Sequence, residues 1–228
     1  MDHPQALQEN EDAQSNSIVV SCEETGKSAT VLFTDIIVQD YSSNYTTGSA
    51  SDSEFDADGQ LTSAINQITT DVSKKIYYTT GHGETTLSTS LSDELEKSSV
   101  TTEELNLLMV EEIPSDCDLI LIDAPTSDIS EQEETMLLNY MSEGGKVIYV
   151  MGDASTETPN LNAFMEQYGM TKTDGYIADM QRCYQGNYYY IFPEISASGD
   201  LGDGLESDMV LLVNSAGFTV QEDLRDKL

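Results

Sequence analysis

The stretch that most constrains this chain runs from Cys117 to Asp153, CDLILIDAPTSDISEQEETMLLNYMSEGGKVIYVMGD. Its first segment, Leu119 to Ile122, is apolar at every position. A strand with one face in water would alternate, so an unbroken run reads as a central strand covered on both faces. A helix signature follows. Ser130 and Glu133 have the spacing of a capping box, Met136, Leu137, Tyr140 and Met141 form an apolar stripe at helical spacing, and Gly144-Gly145 ends it. Lys146 to Asp153 reads as a second apolar strand. Strand, helix and strand in this order imply parallel pairing through a helical crossover.

The same rhythm extends to both sides. KIYYTT (residues 75–80) reads as a strand, a helix with Leu87, Leu91 and Leu95 on one side follows, and LNLLMV (105–110) reads as the next strand. LNAFMEQYG is a short helix ended by Gly169, and NYYYIFPE and DMVLLVNS read as later strands. Upstream, SIVVSC and SATVLF flank a glycine-containing turn and predict a hairpin. Leu61, Ala64, Ile65 and Ile68 predict one apolar helix face. The expected fold class is α/β, an open, mostly parallel sheet with helices on both faces, preceded by a β-hairpin. The expected organisation is a mobile tail over 1–16, the hairpin over 17–38, a Ser/Asp-rich connection over 39–60 and the α/β domain over 61–228.

Charge limits the partners. Nine Lys and Arg stand against 42 Asp and Glu, a net charge of −33 in 228 residues. Such a chain repels phosphate backbones and anionic membrane surfaces, so no nucleic-acid partner is expected. No apolar run approaches the ~20 residues of a membrane helix, and the polar, acidic N-terminus has no signal-peptide pattern. As given, the chain reads as a soluble piece. Cys22, Cys117 and Cys183 are widely spaced and form no disulfide framework or CxxC pair. With only two histidines, neither a metal site nor a cofactor is predicted.

Several motifs resolve into plainer readings. TGKS (25–28) lacks the upstream glycine of a phosphate-binding loop, since Ser21 stands there, and it lies in the expected hairpin. EFDADG (54–59) resembles a calcium loop, but Ile65 occupies the position of the closing glutamate. NYT (44–46) is a glycosylation sequon by pattern only. No GxSxG elbow is present, and Thr126 and Ser127 follow the central strand without one. Cys117 precedes its strand, the wrong end for an α/β active site.

The turn TGHGE (80–84) follows the first parallel strand, at the sheet edge where open α/β folds bind ligands. His82, Glu84, Asp123 and Asp153 all follow strand ends and are the candidate ligand-binding residues of a crevice there. The plainer reading is that Gly81 and Gly83 supply backbone freedom for a tight turn, with Glu84 near a helix N-terminus. Both readings stand. Tyr188, Tyr190 and Phe192 alternate on one face of a strand and form a candidate partner surface. The plainer alternative is a strand covered on both sides.

Taken in order, FDADGQLTSAINQITT, KIYYTTGHGE, IPSDCDLILIDAPTSDISEQEETMLLNYMSEGGKVIYV and LNAFMEQYGM resemble the extracytoplasmic auxiliary component of gliding-motility-type ABC transporters, over roughly residues 54–195. The resemblance implies a flavodoxin or class I glutamine amidotransferase-like fold without the catalytic cysteine. It implies a parent protein held in the membrane by flanking helices absent from this chain, an extracytoplasmic location, and an upstream small α/β domain of which residues 17–38 would be a remnant. It implies ABC permease and ATP-binding subunits as partners of the full-length parent, and it supplies no catalytic residue. The expected function is therefore non-enzymatic recognition of a ligand or partner, a polymer or peptide among them, in an ABC-type transport system. The alternatives are an amidotransferase- or hydrolase-like enzyme using His82, and a passive cell-surface spacer.

Overall fold

A computed structural model describes residues 16–39, 53–69, 74–194 and 210–221. The sequon, most of the predicted tail and connection, and the last seven residues lie outside the described residues. The chain divides into two compact units, one of residues 1–75 and 87–102, the other of residues 76–86 and 103–228.

In the first unit, β1 (Ile18–Ser21) and β2 (Ser28–Val31) form the predicted antiparallel hairpin, closed by Gly26 at φ +68°. A one-turn helix α1 (Phe33–Ile36) leads into β3 (Ile37–Gln39), which pairs antiparallel with β4 (Ser53–Phe55). Helix α2 (Ala57–Thr69) packs on the hairpin through a small core of Val31, Ile36 and Ala64. Ala64 and Ile68 are buried, but Ile65 is half exposed. Ile65 follows Ala64 by one residue, a turn of about 100°, which carries it off the buried stripe. The EFDADG segment opens this helix. Asp56 accepts from Gln60 Nε2 at 3.0 Å and lies 3.5 Å from Lys97 Nζ. Helix α3 (Thr89–Lys97) is capped by Ser88, whose hydroxyl accepts from Leu91 N–H.

The second unit is organised by a four-stranded parallel sheet flanked by helices. Its strands are β5 (Lys74–Thr79), β6 (Val100–Leu105), β7 (Leu119–Asp123) and β8 (Val147–Val150), in the order β6-β5-β7-β8, with the opening residues of β5 and β6 counted in the first unit. Ile76 to Tyr78 pair with Leu119 to Leu121, and Ile120 to Asp123 with Val147 to Val150, both in parallel. Ile120 and Ile122 are completely buried, whereas Leu119 and Leu121 on the other face are half buried. Helix α4 (Glu131–Ser142) has the predicted capping box and seats Leu137 on this core. Helix α5 (Pro159–Gln167) adds Leu161 and Phe164.

One strand is displaced from its predicted position. The strand after α3 is Val100–Leu105, VTTEEL, and the apolar Leu107–Met109 forms a single 3-10 turn. The strand lies at the sheet edge, so it needs β-branched residues but little apolar cover. Asn106 accepts from Leu108 N–H through its side chain and ends the extended run.

After α5 the pairing is antiparallel. β9 (Met170–Lys172) pairs with β13 (Phe218–Val220). β10 (Cys183–Tyr184), β11 (Asn187–Ile191) and β12 (Leu212–Val213) form a small meander. Among the described residues no helix is long and apolar enough to cross a membrane.

Candidate functional site

The strand order places β5 between β6 and β7, so the direction of winding reverses between β5 and β7. In open α/β sheets the crevice for ligands lies at that reversal, beyond the carboxyl ends of the strands. Thr80 to Thr85 leave β5 there, and Ala124 to Ser130 leave β7.

The turn after β5 is built around His82. Gly81 and Gly83 sit at φ +115° and +74°, conformations that disfavour any side chain. Gly83 has a second constraint: a Cβ there would lie 2.0 Å from Thr126 Oγ1. The His82 carbonyl accepts from the backbone N–H groups of Thr126 and Ser127, at 2.9 and 3.0 Å, and from both hydroxyls at 3.3 and 3.2 Å. Thr85 N–H donates to the Asp123 carbonyl at 2.8 Å. These bonds fasten the loop after β5 to the loop after β7.

The His82 side chain points into the protein and is only 6% exposed. Its Nδ1 lies 3.5 Å from Glu84 Oε1, and its Nε2 lies 3.3 Å from Glu133 Oε2. Both carboxylates are nearly fully buried. Glu84 also accepts from His82 N–H at 2.7 Å. Glu133 accepts from Ser130 N–H and Oγ–H, both at 2.8 Å, while its Oε1 has no hydrogen-bond partner among the described residues. Glu133 therefore has two roles that the sequence reading did not join. It closes the capping box of α4, and it braces the ring of His82.

The four residues expected at the crevice make different contacts. His82 and Glu84 are in contact. Asp123 reaches the loop after β5 through its carbonyl, and burial raises its carboxyl pKa above the usual range. Asp153 is exposed and binds elsewhere: its carboxylate accepts from Ser155 Oγ and N–H at 2.6 and 2.8 Å, from Asn214 Nδ2 at 2.9 Å and from Tyr176 OH at 3.3 Å. The Ser155 bonds first, then that of Asn214, hold its carboxyl down at about 2. None of its bonds among the described residues goes to His82 or Glu84. No group of three or more His, Cys, Asp or Glu with metal-binding geometry occurs among the described residues.

The tyrosine strand is exposed at its start and covered toward its end: Tyr188 is 49% exposed and Tyr189 46%, with Tyr190 and Phe192 half buried and Ile191 buried. Tyr176 packs on Tyr189 with ring centres 5.6 Å apart, and Tyr184 meets Phe192 edge-on at 6.2 Å. Exposed Met180 and Tyr184 adjoin these rings in sequence. Aromatic and methionine side chains gathered at a surface are the composition of a protein interface.

Residues 73–188 match the family model described as an ABC-type uncharacterized transport system, which is just over half of the chain. The chain belongs to this auxiliary family of ABC-type transport systems. The matched segment begins just before β5 and ends on the tyrosine strand, so it contains the parallel sheet and the His82 brace. No curated protein matches the chain. Among solved structures, the mmIFT52 N-terminal domain is similar with a TM-score of 0.52 and 15% identity, covering 65% of this chain and 69% of that one. At that identity the likeness concerns the fold alone.

The three cysteines of this ABC auxiliary chain are free. Cys117 lies half buried against Tyr140, 3.4 Å from its hydroxyl, and burial pushes the thiol up. Burial and the Cys117 contact push Tyr140 up to about 12. Cys183 Sγ faces the Met180 carbonyl at 4.0 Å. Among the described residues, no cysteine is within hydrogen-bonding or ion-pair reach of His82.

Proposed function

We propose that the chain is the extracytoplasmic domain of an ABC transport auxiliary protein, and that it acts by recognising a partner rather than by catalysis. The family match over residues 73–188 carries this reading. The buried brace agrees with it. A general base must reach a substrate proton, whereas both ring nitrogens of His82 face protein carboxylates and the ring is out of solvent. In this reading His82, Glu84 and Glu133 fix the loop geometry at the sheet edge. Recognition falls to the surface around Tyr188 and Tyr190, with Asp153 held beside it by Tyr176 and Asn214, and Asp123 stands at the end of β7. ATP hydrolysis belongs to a separate subunit, and the permease is the contact expected for this domain. The gliding-motility-type relationship, the membrane-anchored parent and the kinship with class I glutamine amidotransferases belong to the same proposal and rest on the ordered segments quoted above.

The test is site-specific photo-crosslinking in the full-length parent in its native membrane. A photoreactive residue replacing Tyr188 is expected to give an adduct with a multi-span permease, while one replacing Glu143 at the end of α4 gives none. Equal permease adducts from both sites, or none from Tyr188, would contradict recognition through the tyrosine strand.

A further inference from the structure

The first unit contains a groove that lies only partly within the family match. Helix α2 packs on the hairpin through Ala64, and among the described residues the buried core beneath it is Val31, Ile36 and Ala64. Helix α3 is fastened to α2 at its C-terminal end, where Ser63 Oγ–H donates to the Lys97 carbonyl and Lys97 Nζ lies 3.5 Å from Asp56. No residue of α3 is buried. Between α3, α2 and the β2–α1 segment an open groove of about 1020 Å³ remains. Ala29, Val31, Ile37 and Ala64 give it an apolar floor, and Phe33 stands at its lip, 53% exposed.

The rim of this groove is acidic. Asp35, Asp93, Glu94 and Glu96 line it. The one cation among its lining residues, Lys97, is already paired with Glu94 at 2.9 Å and with Asp56. We propose that this groove is a docking site for a cationic, amphipathic segment of a partner protein, its apolar side chains on the Val31–Ala64 floor beside Phe33 and its lysines or arginines on the carboxylate rim. An apolar floor within a charged rim suits such a segment. Charge argues against the other occupants. A second copy would bring the same acidic rim against itself in a chain of net charge −33, and anionic membranes and nucleic acids are repelled likewise. The chain's own segment 40–52, DYSSNYTTGSASD, carries no cation to meet the rim. The proposal stands on the groove and is independent of the tyrosine-strand reading.

The test uses the full chain and a short fluorescein-labelled Leu/Lys amphipathic peptide, with binding read by fluorescence anisotropy at low salt. Because any cationic peptide is drawn to so acidic a protein, two triple variants that remove equal charge are compared. Asp93→Asn with Glu94→Gln and Glu96→Gln alters the groove, and Glu111→Gln with Glu112→Gln and Glu143→Gln alters exposed sites elsewhere. All six side chains are exposed, so both variants are expected to fold, with circular dichroism as the check. The groove variant should bind about tenfold more weakly and the remote variant nearly as wild type, since only the groove variant loses the charges that meet the peptide. Phe33→Ser should weaken binding of the amphipathic peptide but not of polylysine. Equal weakening by the two triples, or no effect of Phe33→Ser, would overturn the proposal. So would a wild-type dimer in sedimentation that the groove variant converts to monomer, because the groove would then belong to a second copy.

Discussion

Replacing either partner of the His82–Glu133 contact should show that the pair acts as one structural unit. Glu133→Ala removes the acceptor of Ser130 N–H and Oγ–H, both at 2.8 Å, and exposes a helix N-terminus. Loss of such a cap costs about 1 kcal/mol. It also removes the oxygen 3.3 Å from His82 Nε2, and a buried polar atom left without its partner costs about 1–3 kcal/mol. The expected total is about 3 kcal/mol. His82→Ala is expected to cost about 1–3 kcal/mol, because two nearly buried carboxylates, those of Glu84 and Glu133, lose the polar group between them. The double variant should cost less than the sum by about 1–3 kcal/mol, the coupling expected for groups in direct contact. Against a typical stability of about 5–15 kcal/mol, each single change removes a large fraction. The assay is native-state hydrogen exchange at the amides of Ile120 and Ile122 across a urea series, which reports on the second unit's core alone. Costs below about 0.5 kcal/mol, or strict additivity, would refute the idea that the brace holds the sheet edge together.

Three further outcomes follow from the same geometry. Gly83→Ala should destabilise the second unit by about 1–2 kcal/mol through its positive φ alone; adding Thr126→Ala should recover only the steric part, and full recovery in urea unfolding would contradict a backbone origin. The Asp153 carboxyl, held at about 2 by Ser155, Asn214 and Tyr176, has a folded value below its ordinary one, so its contribution is complete above about pH 4 and is lost as the pH falls through 2; carbon-detected NMR titration should give that low midpoint, and a midpoint near 3.8 would contradict it. Cys22, whose thiol is lowered by bonds from Thr25 and Glu24, should react with a maleimide at pH 8 faster than Cys117, whose thiol is raised by burial; the reverse order of rates, read by mass spectrometry, would count against both placements.

Much of the fold could be read because several signals coincide on the same residues. Ser130, Glu133, Leu137 and Gly144 each mark a different part of α4 or its ends, and the apolar run Leu119–Ile122 of β7 is the strand before it. At β6 the signals conflict. LNLLMV has the apolar content of a strand, but an edge strand needs little, and the polar VTTEEL pairs instead. The site was legible as a place and not as an arrangement. Glycines around His82 mark a turn at a strand end, and that turn lies at the winding reversal. Glu133 was visible only as a cap. The Oε2 that accepts from Ser130 is also the oxygen beside His82, and nothing local shows that His82 approaches it from a loop some fifty residues earlier. The partners of Asp153 are likewise mostly tertiary: besides Ser155 they are Asn214 and Tyr176, from distant segments.

The measurement that tests the central claim most directly is quantitative co-purification of the tagged full-length parent from its native membrane in mild detergent, with mass-spectrometric identification of its partners. The account predicts a multi-span permease and an ATP-binding subunit at fixed ratio to the parent, both depleted when Tyr188 and Tyr190 are replaced by serine. Recovery of neither subunit, under conditions in which other membrane complexes stay intact, would contradict it.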